Sequence, residues 1–328
     1  MNEQVAAVRR AVREFLGPLS CGELNIAVSG GADSLALAEA GAYVGHQFGL
    51  PVRALVVDHG LQEGSARVAA EAADLARKLG ADTAEVLTVQ VTGPGGLEAA
   101  ARRARYAALR NALSHGNTLV LLGHTRDDQA ETVLLGLGRG SGPRSVAGMR
   151  PLDPPWGRPL LNVPRSVTQA ACAELGIEPW VDPQNADPRF TRVRLRTEVL
   201  PLLEDVLNGG VPAALARTAA QLREDLETLD ALAEDLLGQA RALRGLDIGV
   251  LAKAPAPLRR RVLRRWLLDA GARDLTDAHL RSVDALIGDW RGQGGVWLPG
   301  SLVAERSHGR LAVNRRADAR ITGNTRGD

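Results

Sequence analysis

The sequence predicts a doubly wound α/β domain with a mainly parallel sheet, followed by a smaller, mostly helical domain that ends in a short β-meander. Short apolar runs alternate with segments of helical periodicity from residue 23 to residue 135, which is typical of a parallel sheet covered by helices. A loop of serine and glycine joins the first strand to the next helix. After a break at residues 206–212, the pattern becomes mainly helical.

The first domain is expected over residues 1–208. A helix over residues 3–16 precedes the sheet, because Val5, Val8 and Val12 recur at helical spacing. Two further helices are expected over 65–80 and 97–115. Strands are expected at 25–28, 53–60, 84–91 and 118–123, and the runs at 53–60 and 118–123 are typical of buried parallel strands. Ligands of such sheets bind at the carboxyl ends of the strands, so the residues after each strand are candidates for a site.

The second domain is expected over residues 213–316. Three helices are predicted at 213–244, 258–266 and 276–290, followed by an antiparallel meander over 296–313. The middle helix carries arginines that we expect mostly on the exposed face opposite its apolar residues, where they would contact either tRNA phosphates or only solvent. Residues 317–328 are expected to be frayed.

The composition fits a cytoplasmic protein. The 328 residues include 45% hydrophobic and 24% charged residues, with a formal net charge of +2. Neither a signal peptide nor an apolar run long enough for a membrane span is apparent. Cys21 and Cys172 lie far apart, which argues against a disulfide framework, a zinc site or an iron–sulfur cluster. Nearly all basic residues are arginine, which permits a nucleic-acid partner without requiring one.

The loop after the first strand predicts an anion site. Ser29, Gly30, Gly31 and Ser34 provide a tight turn, backbone N–H groups and hydroxyls at the start of a helix. The loop has no lysine, so it is not a P-loop. Asp33 within it would repel a bare phosphate, and this indicates either a bridging Mg²⁺ or a role as helix cap.

A second polar cluster follows the fourth strand. His124, Asp128 and Glu131 are spaced four and three residues apart, which would place them on one stripe of a helix. Two carboxylates there would repel each other unless they shared a cation, either Mg²⁺ or the ammonium group of a substrate. Asp58 and His59, at the end of the second strand, are predicted to line a nucleotide.

These segments resemble the PP-loop ATP pyrophosphatases and, within them, the tRNA(Ile)-lysidine synthetase family. The resemblance rests on the Ser29–Ser34 loop and on residues 57–61, 97–106, 123–142 and 182–196. Val193 and Gly96 depart from the family pattern, in which asparagine is expected at both positions. The resemblance implies adenylation of the wobble cytidine of a CAU-anticodon tRNA(Ile), followed by attack of the amine of free L-lysine.

The resemblance also implies residue roles. The residues expected to hold ATP and Mg²⁺ are Ser29, Gly30, Gly31, Asp33 and Ser34, with Asp33 as metal ligand and Asp58 and His59 beside the nucleotide. Asp128 and Glu131 would bind lysine, and the three arginines Arg105, Arg192 and Arg196 would neutralise phosphates of ATP or tRNA. The catalytic residues would be Asp33, Arg105, His124 and Asp128. Asp33, Asp58 and Asp128 are all open as the group that deprotonates lysine.

Two alternatives stay open from the sequence. One is another PP-loop ligase, such as an amidating synthetase that takes ammonia, although no fused glutaminase nucleophile is apparent. The other is a non-catalytic module that binds an adenine nucleotide or RNA, which would have no need for the paired acids. The helical second domain is expected to contact tRNA, and the sequence permits a homodimer.

Overall fold

The predicted α/β architecture is confirmed by the structure, a computed structural model that describes residues 2–62, 64–93, 96–113, 118–140, 142–243 and 245–315. The chain divides into two compact units, Met1–Leu222 and Arg223–Asp328. The sequence places the boundary at residues 208–213, whereas this division falls within a helix. The segment predicted to be frayed, 317–328, lies outside the described residues.

The first unit contains a six-stranded sheet in the order β3-β2-β1-β4-β6-β5. The pairs along β3-β2-β1-β4-β6 are parallel, and β5 is antiparallel to β6. Its elements are α1 (Glu3–Leu16), β1 (Glu23–Val28), α2 (Ala32–Gln47), β2 (Val52–Asp58), α3 (Ser65–Lys78), β3 (Thr83–Thr88), α4 (Gly96–Asn111), β4 (Thr118–Leu121), α5 (Arg126–Gly138), α6 (Pro143–Val146), β5 (Leu152–Asp153), β6 (Trp156–Gly157), α7 (Arg165–Glu174), a 3-10 turn (Pro183–Ala186), α8 (Thr191–Arg194), a π-helical turn (Leu195–Val199) and α9 (Leu200–Val206). Helix α10 (Val211–Ala240) follows.

Both faces of the central strands of this sheet are covered, as the continuous apolar strands predict. On one face, alternate residues of β1 and β2 pack with α1, α2, α3 and α7 in the larger core. On the other face, Leu55 and Val120 pack with Leu109 of α4 and with Trp156. The sheet is packed between helical layers, and the loops at the carboxyl ends of its strands are the expected place for a ligand site.

Helix α2 lies unusually close to the sheet because two glycines face it. A Cβ at Gly41 would lie 2.5 Å from Ile26 Cδ1, and one at Gly45 would lie 2.7 Å from Val52 Cγ2. These distances are shorter than a van der Waals contact, so only glycine permits this approach. The position of α2 relative to β1 and β2 is thereby set at two points.

The second unit is helical and contains a five-stranded antiparallel sheet in the order β7-β8-β11-β10-β9. The predicted meander is confirmed as the last three strands, while the hairpin β7-β8 was not predicted from the sequence because its strands have only two and three residues. The elements are β7 (Arg241–Ala242), β8 (Gly245–Asp247), α11 (Ile248–Ala252), α12 (Ala256–Asp269), α13 (Asp277–Gly288), β9 (Val296–Leu298), β10 (Leu302–Ser307) and β11 (Arg310–Arg315).

Two arginines of α12 do not face solvent, although the apolar spacing predicts that most arginines of this helix lie on its exposed face. Arg259 forms a buried ion pair with Asp284 of α13, with Nε 2.7 Å from Oδ1. Arg261 lies 3.4 Å from Asp230 of α10 and is mostly buried. These two arginines therefore join helices of the second unit.

Within the described residues, no single helix is long and apolar enough to cross a membrane. The bent pair Thr191–Val206 and Val211–Ala240 meets the criteria of length and composition only when its two helices are taken together.

Candidate active site

The loop between β1 and α2 is closed by hydrogen bonds to Ser34. Its buried Oγ donates to the carbonyl of Gly31 at 2.8 Å and accepts the N–H of Ser29 at 3.1 Å. Gly30 lies in the left-handed region, with φ +83°. The Ser34 hydroxyl is thus used within the loop, whereas Ser29 is exposed. The loop is a folded turn at the N-terminus of a 16-residue helix, a geometry that suits an anion.

The end of β4 lies directly against this loop. A Cβ at Gly123 would lie 3.1 Å from the backbone C and O of Asp33 and from the backbone N of Ser34. The neighbouring atoms are backbone and cannot rotate away, so glycine is needed here. This contact places the residues that follow β4 beside the first turn of α2.

Arg165, the first residue of α7, connects three carboxylates at this edge of the sheet. Its Nη2 donates to Asp128 Oδ1 at 2.7 Å, its Nε donates to Asp33 Oδ2 at 3.3 Å, and its Nη1 lies 3.5 Å from Glu131 Oε1. Thr168 Oγ1 donates to the other oxygen of Asp33. We refer to Asp33, Asp128 and Glu131 as the acid cluster.

Arg196 approaches the acid cluster from the π-helical turn. Its Nε donates to Glu131 Oε1 at 2.8 Å, and its Nη2 lies 3.7 Å from Asp128 Oδ1. Glu131 is fully buried, and its Oε2 has no hydrogen-bond partner among the residues that the structure describes. The cation that the paired acids require is therefore supplied by two arginines of the chain, and one buried carboxylate oxygen is left over.

The acids of this cluster differ in proton affinity. Burial raises the pKa of Asp33 above its ordinary value, although the hydrogen bond from Thr168 and the charge of Arg165 act in the opposite direction. Burial would also raise the pKa of Asp128, but the charge of Arg165 and the N–H of Thr125 outweigh it and hold this pKa below its ordinary value. The Thr125 N–H donates to Asp128 Oδ2 at 2.8 Å. Asp128 is thus a fixed carboxylate, and Asp33 is the stronger base.

The spacing of His124 predicts that it shares a helical stripe with Asp128 and Glu131, but His124 lies before the helix begins. Thr125 is extended, with φ −98° and ψ 177°, and α5 begins only at Arg126. Burial lowers the pKa of His124 to about 3, with Arg105 contributing and Asp128 opposing. Its imidazole is therefore neutral near pH 7, and its Nδ1 is buried with no hydrogen-bond partner within the described ranges.

A group of arginines surrounds the two histidines at this edge. Burial, and then the charge of Arg105, lowers the pKa of His59. Burial also lowers the pKa of Arg105, to which the charges of Arg102 and Arg192 contribute. The Nε of Arg105 is itself buried. Within the described part of the chain, neither Arg105 nor Arg192 pairs with a carboxylate, so no acidic partner offsets the positive charge of the group.

Asp58 supports the neighbouring turn. It is buried at the end of β2, where its Oδ1 accepts the N–H of Gly60 at 2.9 Å.

The donor set around Asp33 does not fit a metal held by the protein alone. Asp33 already receives hydrogen bonds on both carboxylate oxygens, from Thr168 and Arg165. Across the residues that the structure describes, no three or more His, Cys, Asp or Glu side chains are grouped to hold a metal ion. The alternative role as helix cap is also not observed, because Gly31 is the N-cap and Asp33 lies inside the first turn of α2.

Comparison with known proteins identifies the family. The PP-loop domain family matches residues 4–203, and the TilS substrate binding domain matches residues 246–312. The tRNA(Ile)-lysidine synthase of Rhodococcus jostii (strain RHA1) is 58% identical over 94% of this chain and 95% of its own length. This chain belongs to the tRNA(Ile)-lysidine synthase family. The enzyme of that name from Nocardia farcinica (strain IFM 10152) is 57% identical over 94% of this chain and 98% of its own length.

Part of the fold of this chain has a solved counterpart outside the lysidine synthase family. The U34-tRNA thiolase NcsA from Methanococcus maripaludis, solved with its [4Fe-4S] cluster, matches 67% of this chain and 80% of its own chain, with a TM-score of 0.56. At 18% identity, this likeness concerns the fold alone.

The lysidine synthase resemblance seen in the sequence leaves out four residues of this site. They are Arg165, Thr168, Arg158 and Trp180. Trp180 donates its backbone N–H to the carbonyl of Gly30 at 2.9 Å, and Arg158 is buried with its Nε unpartnered. The sequence gives a local indication for Arg165 alone, since the proline before it is typical of a helix start.

Proposed function

We propose that this chain performs the lysidine synthase reaction at the carboxyl edge of its parallel sheet. As a member of the family, the chain is an ATP-dependent ligase that forms lysidine on tRNA(Ile). The finer proposal is that the substrate is the CAU-anticodon tRNA(Ile), that the amine comes from free L-lysine, and that the acid cluster receives this amine. The observation that carries it is Arg165, which ties Asp128 and Glu131 to Asp33 in the PP-loop helix.

The first step needs a cradle for a departing anion. The 2-carbonyl oxygen of cytidine attacks the α-phosphorus of ATP, the bond from that phosphorus to the bridging oxygen breaks, and pyrophosphate leaves. The backbone N–H groups at the start of α2 face the developing negative charge. Arg105 and Arg192 lack carboxylate partners in the described structure and add positive charge. A loop without lysine suits this role, because it holds pyrophosphate as the leaving group.

The second step joins lysine to the activated base. The ε-amine attacks C2 of the cytidine, the C2–O bond breaks, and AMP leaves with the oxygen. Asp128 and Glu131 attract the ammonium form, and the unpartnered Oε2 of Glu131 offers it an acceptor. The amine must lose a proton before it attacks. Asp33 is a better-matched acceptor than Asp128, because its pKa is raised whereas that of Asp128 is lowered.

His124 and the second unit have supporting roles in this proposal. The imidazole of His124 is neutral, so it can line the reacting groups without adding a charge that would repel the ammonium group. Arg260 and Arg264 of α12 have no carboxylate partner among the described residues and are candidates for tRNA phosphate contacts. Mg²⁺ is expected to arrive with the ATP phosphates, because the ion is usually bound through substrate phosphates and few carboxylates. Cytoplasmic location and a homodimer stay predictions.

Nucleoside mass spectrometry tests the proposal. The protein is incubated with CAU-anticodon tRNA(Ile), ATP, Mg²⁺ and lysine, and the digested tRNA is analysed. We expect the wobble cytidine to gain one lysine less one water only when lysine is present. An amidating synthetase would instead convert ATP to AMP with ammonia as the amine and leave the cytidine without lysine, and this outcome would refute the proposal.

A further inference from the structure

The acid cluster carries more charge compensation than an isolated pair of acids would. Its three carboxylates are contacted by two guanidinium groups, those of Arg165 and Arg196. One negative charge is left over when all five groups are ionised. A fourth carboxylate, Asp127, accepts the backbone N–H of Arg165 at the start of α7, where the helix dipole offsets part of its charge.

Arg165 is better placed than Arg196 to control this balance. Its side chain is 16% exposed and contacts all three members of the cluster, whereas that of Arg196 is 33% exposed and contacts two. The position of Arg165 is also fixed by its own backbone, because its N–H is bound by Asp127 at 2.8 Å. A planar guanidinium can orient several carboxylates at once, which an ammonium of the same charge cannot do.

The fully buried Glu131 supplies the second observation. Its Oε1 is shared by Arg196 and Arg165, but its Oε2 has no partner in the described part of the chain. Buried carboxylate oxygens are normally hydrogen-bonded, so an unpartnered one points to a donor that arrives with a ligand. An ammonium group brings both donors and a single positive charge. A divalent metal ion would bring one charge more than the cluster has left, and it would compete with Arg165 for oxygens already bound.

We propose that Arg165 is a positioning residue for the amine substrate: it holds Asp33, Asp128 and Glu131 together and leaves about one negative charge, so that the cluster accepts one ammonium group in preference to a divalent metal ion. This rests on the proposed function, in which the cluster receives lysine. Arg165 does not itself react. It acts through the carboxylates that it orients and partly neutralises.

Two variants separate the charge of Arg165 from its shape. Arg165→Gln removes the positive charge, and Arg165→Lys keeps the charge but loses the planar guanidinium that contacts several carboxylates. Arg77→Gln is the matched control, since Arg77 lies at the carboxyl end of α3 and pairs with Asp74 near the opposite edge of the sheet. For each protein, the KM for lysine and the rate of tRNA adenylation without lysine are measured. Binding of Mn²⁺ to the full chain without ATP is followed by electron paramagnetic resonance.

The proposal predicts opposite changes for the two ligands. In Arg165→Gln the KM for lysine should rise at least tenfold, and Mn²⁺ should bind at least tenfold more tightly. Arg165→Lys should raise the KM for lysine severalfold without any gain in Mn²⁺ binding, and it provides the test if Arg165→Gln does not fold. Arg77→Gln should match the unmodified protein.

Unchanged Mn²⁺ affinity in Arg165→Gln, or a gain in Arg165→Lys, would overturn the proposal. An unchanged KM for lysine in both variants would do the same. The variant Glu131→Gln distinguishes the two levels of inference. If it leaves the KM for lysine unchanged, lysine does not bind at the cluster. If it raises that KM and the Arg165 variants do not, only the role of Arg165 fails.

Discussion

Glu131→Gln is the most informative single change, because it alters charge at a fully buried position without altering volume. The glutamine keeps one carbonyl oxygen that can accept the Nε–H of Arg196, now 2.8 Å from Oε1. It lacks the negative charge that Arg165 faces at 3.5 Å, and it replaces the unpartnered oxygen with an amide or carbonyl group. The protein should therefore fold, while the site loses the negative charge that attracts the amine of lysine.

The expected loss in lysine binding follows from the burial of the carboxylate. Removal of one partner of a buried, hydrogen-bonded charge pair costs about 2–5 kcal/mol. The lower end applies here, because Asp128 still carries a charge within the cluster and the glutamine oxygen still accepts a hydrogen bond. About 2 kcal/mol corresponds to a rise in the KM for lysine of roughly 30-fold. Adenylation of tRNA should change by less than threefold, since Glu131 bonds no residue of the Ser29–Ser34 loop.

The two steps are measured separately. Release of pyrophosphate without lysine reports adenylation, and release of AMP against lysine concentration reports the second step. Glu71→Gln is the control, because Glu71 forms an exposed pair with Arg67 within α3. If Glu131→Gln slows both steps by the same factor and leaves the KM for lysine unchanged, Glu131 supports the fold of the site and does not bind the amine.

Three further predictions concern stability and pH. Gly123→Ala should lower the folding stability by about 1–3 kcal/mol, because the added methyl group overpacks against the backbone of α2, and it should weaken ATP binding. Gly138→Ala, where a Cβ would meet nothing within 4 Å, should be neutral or stabilising in thermal unfolding. Because the pKa of His124 is lowered, the unfolded chain binds more protons than the folded chain between pH 6.5 and about 3, so stability should fall as pH falls through this window. His124→Gln should therefore reduce the drop in unfolding temperature between pH 7 and pH 5. An unchanged drop would contradict the burial of a neutral imidazole. Asp284→Ala should cost about 3–5 kcal/mol, because it leaves a buried arginine unpaired, while Asp277→Ala at an exposed pair should cost about 0.5 kcal/mol or less, as measured by chemical denaturation.

The sheet and its loop could be predicted from the sequence because their signals are local. Continuous apolar strands such as residues 53–58 and the glycines after β1 constrain the backbone within a few residues. The short strands β5 and β6 could not be predicted, since two residues are too few for a period. Strands β7 and β8 could not be predicted for the same reason.

The acids of the site could be predicted, but their cation could not. Spacing indicated that Asp128 and Glu131 lie together, and like-charge repulsion required a positive partner. That partner is contributed by Arg165, whose contact with Asp33 spans 132 residues. No pattern within α7 marks its first residue as different from the other arginines of this chain. Charge pairing across such a separation is set by the tertiary fold.

The two glycines of α2 that face the sheet have a consequence beyond packing. Helix α2 carries Asp33 and Ser34 in its first turn, while Gly41 lies about 12 Å further along its axis. A methyl group at Gly41 or Gly45 would push the helix outward as a rigid rod, because Ile26 and Val52 are buried and cannot move aside. The loop would then be displaced with the rod. Inactivating substitutions are therefore expected at positions that touch no substrate, and a library screened for activity should find these two sites as intolerant of alanine as the loop itself.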